Sequence, residues 1–287
     1  MLRKPQLMMS PIETLIGDLL ENHMPYEAAL MDVDTVFHLA NIAHARKTYA
    51  QYQDDCNATI KLALEAQKAG VTRFVYVSST KAMAPPGVIK RDETWSQWPD
   101  DAYGYWKRMT EQRLLEEVSI PHIAILRPCL VYGCGVKGNL QRMIQQINRG
   151  FFPPLPETGA ERSMVAAIDV ASALLLAAIH PDANRSPLIV SDGERYTANA
   201  IYKAILQSLG KAAPGYTVPV DMLKFFGRTG DVLSRLWAGC PVTSQAMEAL
   251  TGAAAYSSSK LCRLGWEPST TFYAEVDAVV ATCLETA

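Results

Sequence analysis

Long apolar runs are absent from this sequence. The longest, Val170 to Ile179, is bracketed by Asp169 and His180 and is too short to cross a bilayer as a helix. The opening residues, MLRKPQLMMSPIE, lack the continuous apolar stretch of a secretory signal. Both absences lead to the expectation of a cytoplasmic protein with no membrane partner. Paired cysteines are absent too. Cys56, Cys129, Cys134, Cys240, Cys262 and Cys283 form no CxxC and match no metal-ligand spacing, so they read as reduced thiols and no metal is expected. Charge is nearly balanced at −2, which gives no general electrostatic reason to expect nucleic acid as a partner. No internal repeat or low-complexity tract occurs. Against these absences, 49% of the 287 residues are hydrophobic and 20% charged, enough for one large α/β domain, with or without a smaller lobe.

Three short apolar runs have the continuous character of buried parallel strands: Thr35 to Leu39, Arg73 to Val77, and Ile123 to Leu126. Between them lie helical patterns, Asn57 to Ala69, stopped by Gly70, and Tyr103 to Val118, followed by Pro121. Alternation of strand and helix predicts a doubly wound parallel sheet. Further on, helices are predicted over Asn139 to Asn148, Ile168 to Ile179, Ala198 to Leu209, Val220 to Phe226 and Phe272 to Cys283. A short strand is predicted over Leu188 to Val190. No linker interrupts the chain. The predicted division is 1–133 with 164–193 as one α/β domain, and 134–163 with 194–287 as a smaller lobe.

The strongest chemical signal is Tyr103-Gly104-Tyr105-Trp106-Lys107. The tyrosine stands four positions before the lysine at a helix start, so both lie on one face. A nearby ammonium favours phenolate and is expected to lower the tyrosine pKa, which suits proton transfer beside a moving hydride. Alone the pattern is weak, because a surface Tyr–Lys pair is common. Upstream, the strand Phe74-Val75-Tyr76-Val77 ends in Ser78-Ser79-Thr80, and such strand ends carry function in doubly wound sheets. The plainer reading of that cluster is turn chemistry. Downstream comes Leu126-Arg127-Pro128-Cys129-Leu130-Val131-Tyr132-Gly133.

In this order the motifs resemble the extended short-chain dehydrogenase/reductase family, the NAD-dependent epimerases and dehydratases. The likeness runs on through Asp34 to Ala40, Arg162 with Asp169, and Leu264-Gly265-Trp266-Glu267-Pro268, and so covers nearly the whole chain. Gly133 to Asn139 and Ile189 to Glu194 look most like bacterial nucleotide-sugar 4-epimerases and 4-reductases. The resemblance implies NAD or NADP, a UDP-hexose type of substrate, and a homodimer built as a four-helix bundle from the two early helices, with Leu64, Met109 and Leu114 facing outward. It implies a catalytic set of Tyr103, Lys107 and Thr80, with Ser78 or Ser79 as substitutes for Thr80. Cofactor contacts would come from Asp18, Leu19, Leu39, Ala40, Ser78, Tyr103, Lys107 and Pro128. Substrate contacts would come from Ser79, Thr80, Lys81, His44, Asn139 and Arg162, the last clamping a diphosphate. Trp106 departs from the small hydroxyl residue usual before the lysine, and Leu130 replaces an asparagine frequent in sugar epimerases.

A larger departure lies at the front. Dinucleotide binding on this fold uses a strand, a GxxGxxG-type turn and a helix whose N-terminus holds the pyrophosphate. No glycine precedes Gly17. The sequence therefore reads as a Rossmann-type sheet without its first β-α unit, and dinucleotide binding by these residues is expected to be weak. An upstream start, a shortened paralogue or a decayed gene would each account for this. Three functions follow: C4 oxidation and reduction of a nucleotide-linked hexose, a dehydrogenase acting on a non-sugar alcohol or ketone, or a non-catalytic remnant.

Overall fold

A computed structural model describes residues 13–21, 24–40, 48–84, 90–223, 225 and 251–285. Contacts divide the chain into two compact units. One comprises Met1–Ala84, Trp95–Arg127 and Ser172–Leu188; the other comprises Pro85–Thr94, Pro128–Ala171 and Ile189–Ala287.

The expected α/β fold with a parallel sheet is what the structure shows. Strands β1 (Thr35–His38), β2 (Arg73–Val77), β3 (His122–Pro128) and β7 (Leu188–Val190) form a sheet in the order β1-β2-β3-β7. The pairs β1–β2 and β2–β3 are parallel, with Val75 opposite both Phe37 and Ala124. Phe74, Val75 and Ile123 to Leu126 have no exposed surface and Tyr76 almost none, as expected where both faces of a strand are covered.

Helices in the first unit begin where side chains can satisfy their free N–H groups. After α1 (Tyr26–Leu30), α2 (Tyr49–Lys68) opens on a capping box. Thr48 Oγ1 accepts from Gln51 N, and Gln51 Oε1 accepts from Thr48 N. That box places the start two turns before the Asn57 expected from apolar periodicity alone. α3 (Ala102–Glu117) is capped by Asp101, whose Oδ1 accepts from Gly104 N at 3.0 Å. Leu114 of α3 is fully buried in this unit's core. It is therefore not the outward-facing residue expected for a helix bundle between copies. Leu64 and Met109 are partly buried against that same core.

In the second unit, α4 (Asn139–Asn148) buries Leu140, Met143, Ile144 and Ile147, an i, i+3, i+4, i+7 stripe. The stripe packs with residues of α6 (Ala198–Ser208) and α8 (Phe272–Glu285). Two short pairings were not legible as strands: β4 (Leu130–Tyr132) runs parallel to β6 (Met164–Ala166), and β5 (Glu161–Arg162) antiparallel to β8 (Tyr196–Thr197). Two acidic residues tie loops here. Asp192 accepts from Tyr132 OH at 3.1 Å and Tyr196 OH at 2.7 Å. Asp169, at the start of α5 (Ala167–Ile179), accepts from Ser269 N and Oγ at 2.8 and 2.6 Å. Between α6 and α8 lies α7 (Ser259–Arg263). No helix among the described residues is long and apolar enough to cross a membrane.

Candidate active site

The candidate site sits where the C-terminal end of β2 meets the first turns of α3. Ser79 leaves the strand extended, and its hydroxyl caps a 3-10 turn, Thr80–Ala82, by accepting from Lys81 N at 3.1 Å. The same hydroxyl lies close to Tyr103 and acts to lower its pKa. Thr80 lies beside it, buried at 6% exposure. The close approach depends on Gly104. A Cβ there would meet the Lys81 carbonyl oxygen at 2.2 Å and Pro99 Cβ at 2.8 Å. Glycine inside a helix is otherwise unfavourable. Here it lets α3 lie against the turn.

Lys107 is only 3% exposed. Its ammonium donates to Tyr76 OH at 3.0 Å and to the Val77 carbonyl at 3.4 Å. It lies 5.9 Å from the centre of the Tyr103 ring. Burial lowers its pKa to about 8, against the opposing pull of Asp55 and Glu111. Burial pushes Tyr103 up to about 12, partly opposed by the Ser79 hydroxyl. This corrects the expectation of a phenol brought towards neutrality by its lysine. The ammonium is turned onto Tyr76, and desolvation dominates the phenol.

One further turn along the same face, Glu111 receives three hydrogen bonds. Ser78 Oγ donates to Oε1 at 2.6 Å, Arg127 Nε to Oε1 at 2.9 Å and Arg127 Nη2 to Oε2 at 2.5 Å. All three residues are almost wholly buried. Ser78 therefore gives its hydroxyl to this carboxylate. Sequence reasoning missed Glu111, Tyr76 and Asp55. Glu111 was accessible as the third member of an i, i+4, i+8 series from Tyr103 and Lys107. Asp55, with Tyr52, lines a small cavity together with Tyr103, Trp106, Lys107 and Thr110. Trp106 points to α2, its ring edge-on to Tyr49 at 5.2 Å.

The remaining expected residues are placed as follows. Asp18 Oδ1 accepts from Leu20 N in a turn, with Leu19 partly buried inside it. Leu39 and Ala40 are exposed just past the end of β1, and Lys81 is exposed on the 3-10 turn. Pro128 closes β3 and is buried. Asn139 is exposed at the first position of α4. Arg162 donates from Nη2 to the Gly252 carbonyl at 3.1 Å, while the neighbouring Glu161 pairs with Arg195 at 3.3 Å. Pro128, Asn139 and Arg162 belong to the second unit, the others to the first. His44 lies outside the described residues.

A phenol and a buried ammonium on one helix face, with a hydroxyl at the strand end, form a donor set suited to the nicotinamide end of a dinucleotide. The described residues 13–40 contain a single glycine, Gly17, and so no glycine-rich turn for a pyrophosphate. Residues 6–192 match the NAD dependent epimerase/dehydratase family. The chain belongs to that family.

Members differ in what they act on. UDP-glucose 4-epimerase of Vibrio cholerae is 28% identical over 229 residues, covering 74% of this chain and 69% of that one. A 3 beta-hydroxysteroid dehydrogenase/Delta 5-->4-isomerase of Mycobacterium tuberculosis is 25% identical over 221 residues, covering 71% and 60%. Among solved structures, a UDP-glucose 4-epimerase of Thermotoga maritima with UDP-glucose has a TM-score of 0.69 at 22% identity. The match covers 94% of this chain and 84% of that one. A UDP-glucuronic acid 4-epimerase from Bacillus cereus in complex with NAD has a TM-score of 0.71 at 16% identity, covering 94% and 80%.

Proposed function

We propose that this chain carries out NAD(P)-dependent oxidation and reduction at C4 of a nucleotide-linked hexose, as a UDP-sugar 4-epimerase or 4-reductase. The observation that carries this reading is the Ser79–Tyr103–Lys107 arrangement at the end of β2. The nicotinamide, when bound, supplies the hydride acceptor and donor. Lys107 would hold the nicotinamide ribose, with Asp18, Leu19, Leu39, Ala40 and Pro128 lining the rest of the dinucleotide. Tyr103 exchanges a proton with the C4 hydroxyl through its phenolic oxygen, and Ser79 or Thr80 fixes that hydroxyl by hydrogen bonding. A cation brought near the phenol is what the Tyr103 pKa needs in order to fall, because burial alone holds it high. Turning Lys107 from Tyr76 towards a bound ribose would supply it.

Arg162 would clamp the diphosphate through its fork of donors, and Asn139 and Lys81 would contribute further substrate contacts. A cytoplasmic homodimer is part of the same reading. The relative that acts on a steroid favours a second reading, oxidation of a non-sugar alcohol, in which Arg162 has no diphosphate to hold.

Turnover of a UDP-hexose by the purified protein at millimolar NAD tests the proposal. Tyr103→Phe keeps the ring and removes the proton carrier, and the rate is expected to fall at least about 100-fold. A variant retaining most of the activity would refute the role of Tyr103.

A further inference from the structure

We infer that Glu111 is a positioning residue of this site: clamped by Arg127, it holds Ser78 and thereby the strand end that carries both contacts of the proton-transfer pair. The inference rests on the proposed function only for its consequence in turnover.

The geometry runs through three consecutive residues of β2 and its exit. Val77 gives its carbonyl to Lys107 at 3.4 Å. Ser78 gives its hydroxyl to Glu111 at 2.6 Å and its N–H to Leu126 O at 2.7 Å. Ser79 lies near enough to Tyr103 for its hydroxyl to lower that phenol's pKa. Glu111 thus grips the middle of the segment whose neighbours on either side touch Lys107 and Tyr103. The grip also comes from the helix that carries them, one turn beyond Lys107. Arg127 fixes the carboxylate at 2.9 and 2.5 Å from the end of β3, so helix and two strand ends share one register.

A merely structural role would be filled as well by apolar side chains. A buried ion pair is a poor way to add stability, since well-packed hydrophobic replacements are often neutral or better. What the pair adds is direction. A bidentate guanidinium–carboxylate contact has one geometry, and the hydroxyl of Ser78 is aligned by it.

Two substitutions that change no charge test the inference. Ser78→Ala removes the link to the strand end. Arg127→Lys keeps the charge but not the fork. The readout is the titration of Lys107 in protein carrying 13C-lysine, its resonance assigned by its absence in Lys107→Met. The charged and titratable groups facing Lys107 are Asp55 and Cys56 of α2, Tyr76 of β2, His38 of β1, and Tyr103 and Glu111 of its own helix; both variants leave all of them in place. Loss of register should admit water to Lys107 and raise its pKa from about 8 by half a unit or more in each folded variant. With a UDP-hexose, kcat should fall about tenfold with KM held. An unchanged or lowered Lys107 pKa overturns the inference, as does unchanged kcat. Should the wild type turn over no UDP-hexose, the proposed function fails and the titration alone still decides this one. If Ser78→Ala does not fold, Arg127→Lys carries the test.

Discussion

Replacing Lys107 by methionine should stabilise this protein near neutral pH while removing its proposed activity. The ammonium is 3% exposed, and burial brings its pKa from the ordinary 10.5 to about 8. At about 1.36 kcal/mol per pKa unit, the charged form is disfavoured by about 3 kcal/mol on folding. The unfolded chain binds the proton more tightly, so between pH 8 and 10.5 it holds more protons than the folded one. Stability contributed by this residue therefore rises with pH across that window, and the penalty is complete below pH 8. Methionine has a similar length and no charge. It gives up the hydrogen bonds to Tyr76 and Val77, which lowers the expected net gain to about 1–3 kcal/mol at pH 7. Urea denaturation of wild type and Lys107→Met at pH 7 and at pH 10 reads the difference. The variant should be the more stable at pH 7, and the gap should nearly close at pH 10. A variant that is less stable at pH 7, or a gap that does not narrow, would show that the ammonium is not desolvated as the structure places it.

Gly104→Ala should reduce both stability and turnover, because its Cβ would lie 2.2 Å from the Lys81 carbonyl and must push the 3-10 turn away from Tyr103; a Tm within a degree of wild type would contradict that contact. Arg162→Ala should raise the KM for a UDP-sugar by roughly 10- to 100-fold with a smaller effect on kcat, as expected when a charge-assisted contact of about 1.5–3 kcal/mol is made in ground and transition states alike. An unchanged KM would remove the diphosphate from its role and favour the non-sugar reading. Calorimetric titration of the 287-residue polypeptide with NAD(H) should give a dissociation constant well above micromolar, since residues 13–40 offer no glycine-rich turn to a pyrophosphate; micromolar or tighter binding would show that other groups hold it.

Much of the first unit was legible because parallel strands buried on both faces must be apolar throughout. Arg73–Val77 was read to the residue, and the other two runs to within two residues at each end. The start of α2 was not, because its first turns, Tyr49 to Asp55, contain no fully buried residue and give no periodic apolar signal. The capping box Thr48-x-x-Gln51 was the signal available. In the second unit the two-residue strands β5 and β8 depend on pairing across 34 residues, which no local pattern records. The family motifs pointed to Tyr103, Lys107 and the hydroxyl cluster. They did not give direction: which of Ser78, Ser79 and Thr80 faces the phenol depends on how the chain turns after β2, and that is set by Gly104 and Glu111 from another element. The pKa of Tyr103 was misjudged for the same reason, since spacing along a helix fixes a shared face but not where a four-carbon lysine stem ends.

The acidic residues of this chain sort by the company they keep, and the sorting bears on which of them serve chemistry. Asp192 and Asp169 are buried, and hydroxyls and backbone N–H groups are among their partners. Each joins segments far apart in sequence, and such contacts fix loops at modest net gain. Glu111 is different. It is buried beside a guanidinium, on the same helix face as a desolvated ammonium and a phenol of raised pKa, so four ionisable groups share α3 and the strand ends beneath it. Apolar residues at those positions would leave a more stable helix–sheet contact. The concentration of groups that disfavour folding at one strand end is the pattern expected where geometry and proton affinity, and not stability, have set the residues. On that reasoning Glu111 and Arg127 belong with Tyr103 and Lys107, and Asp192 belongs with the fold.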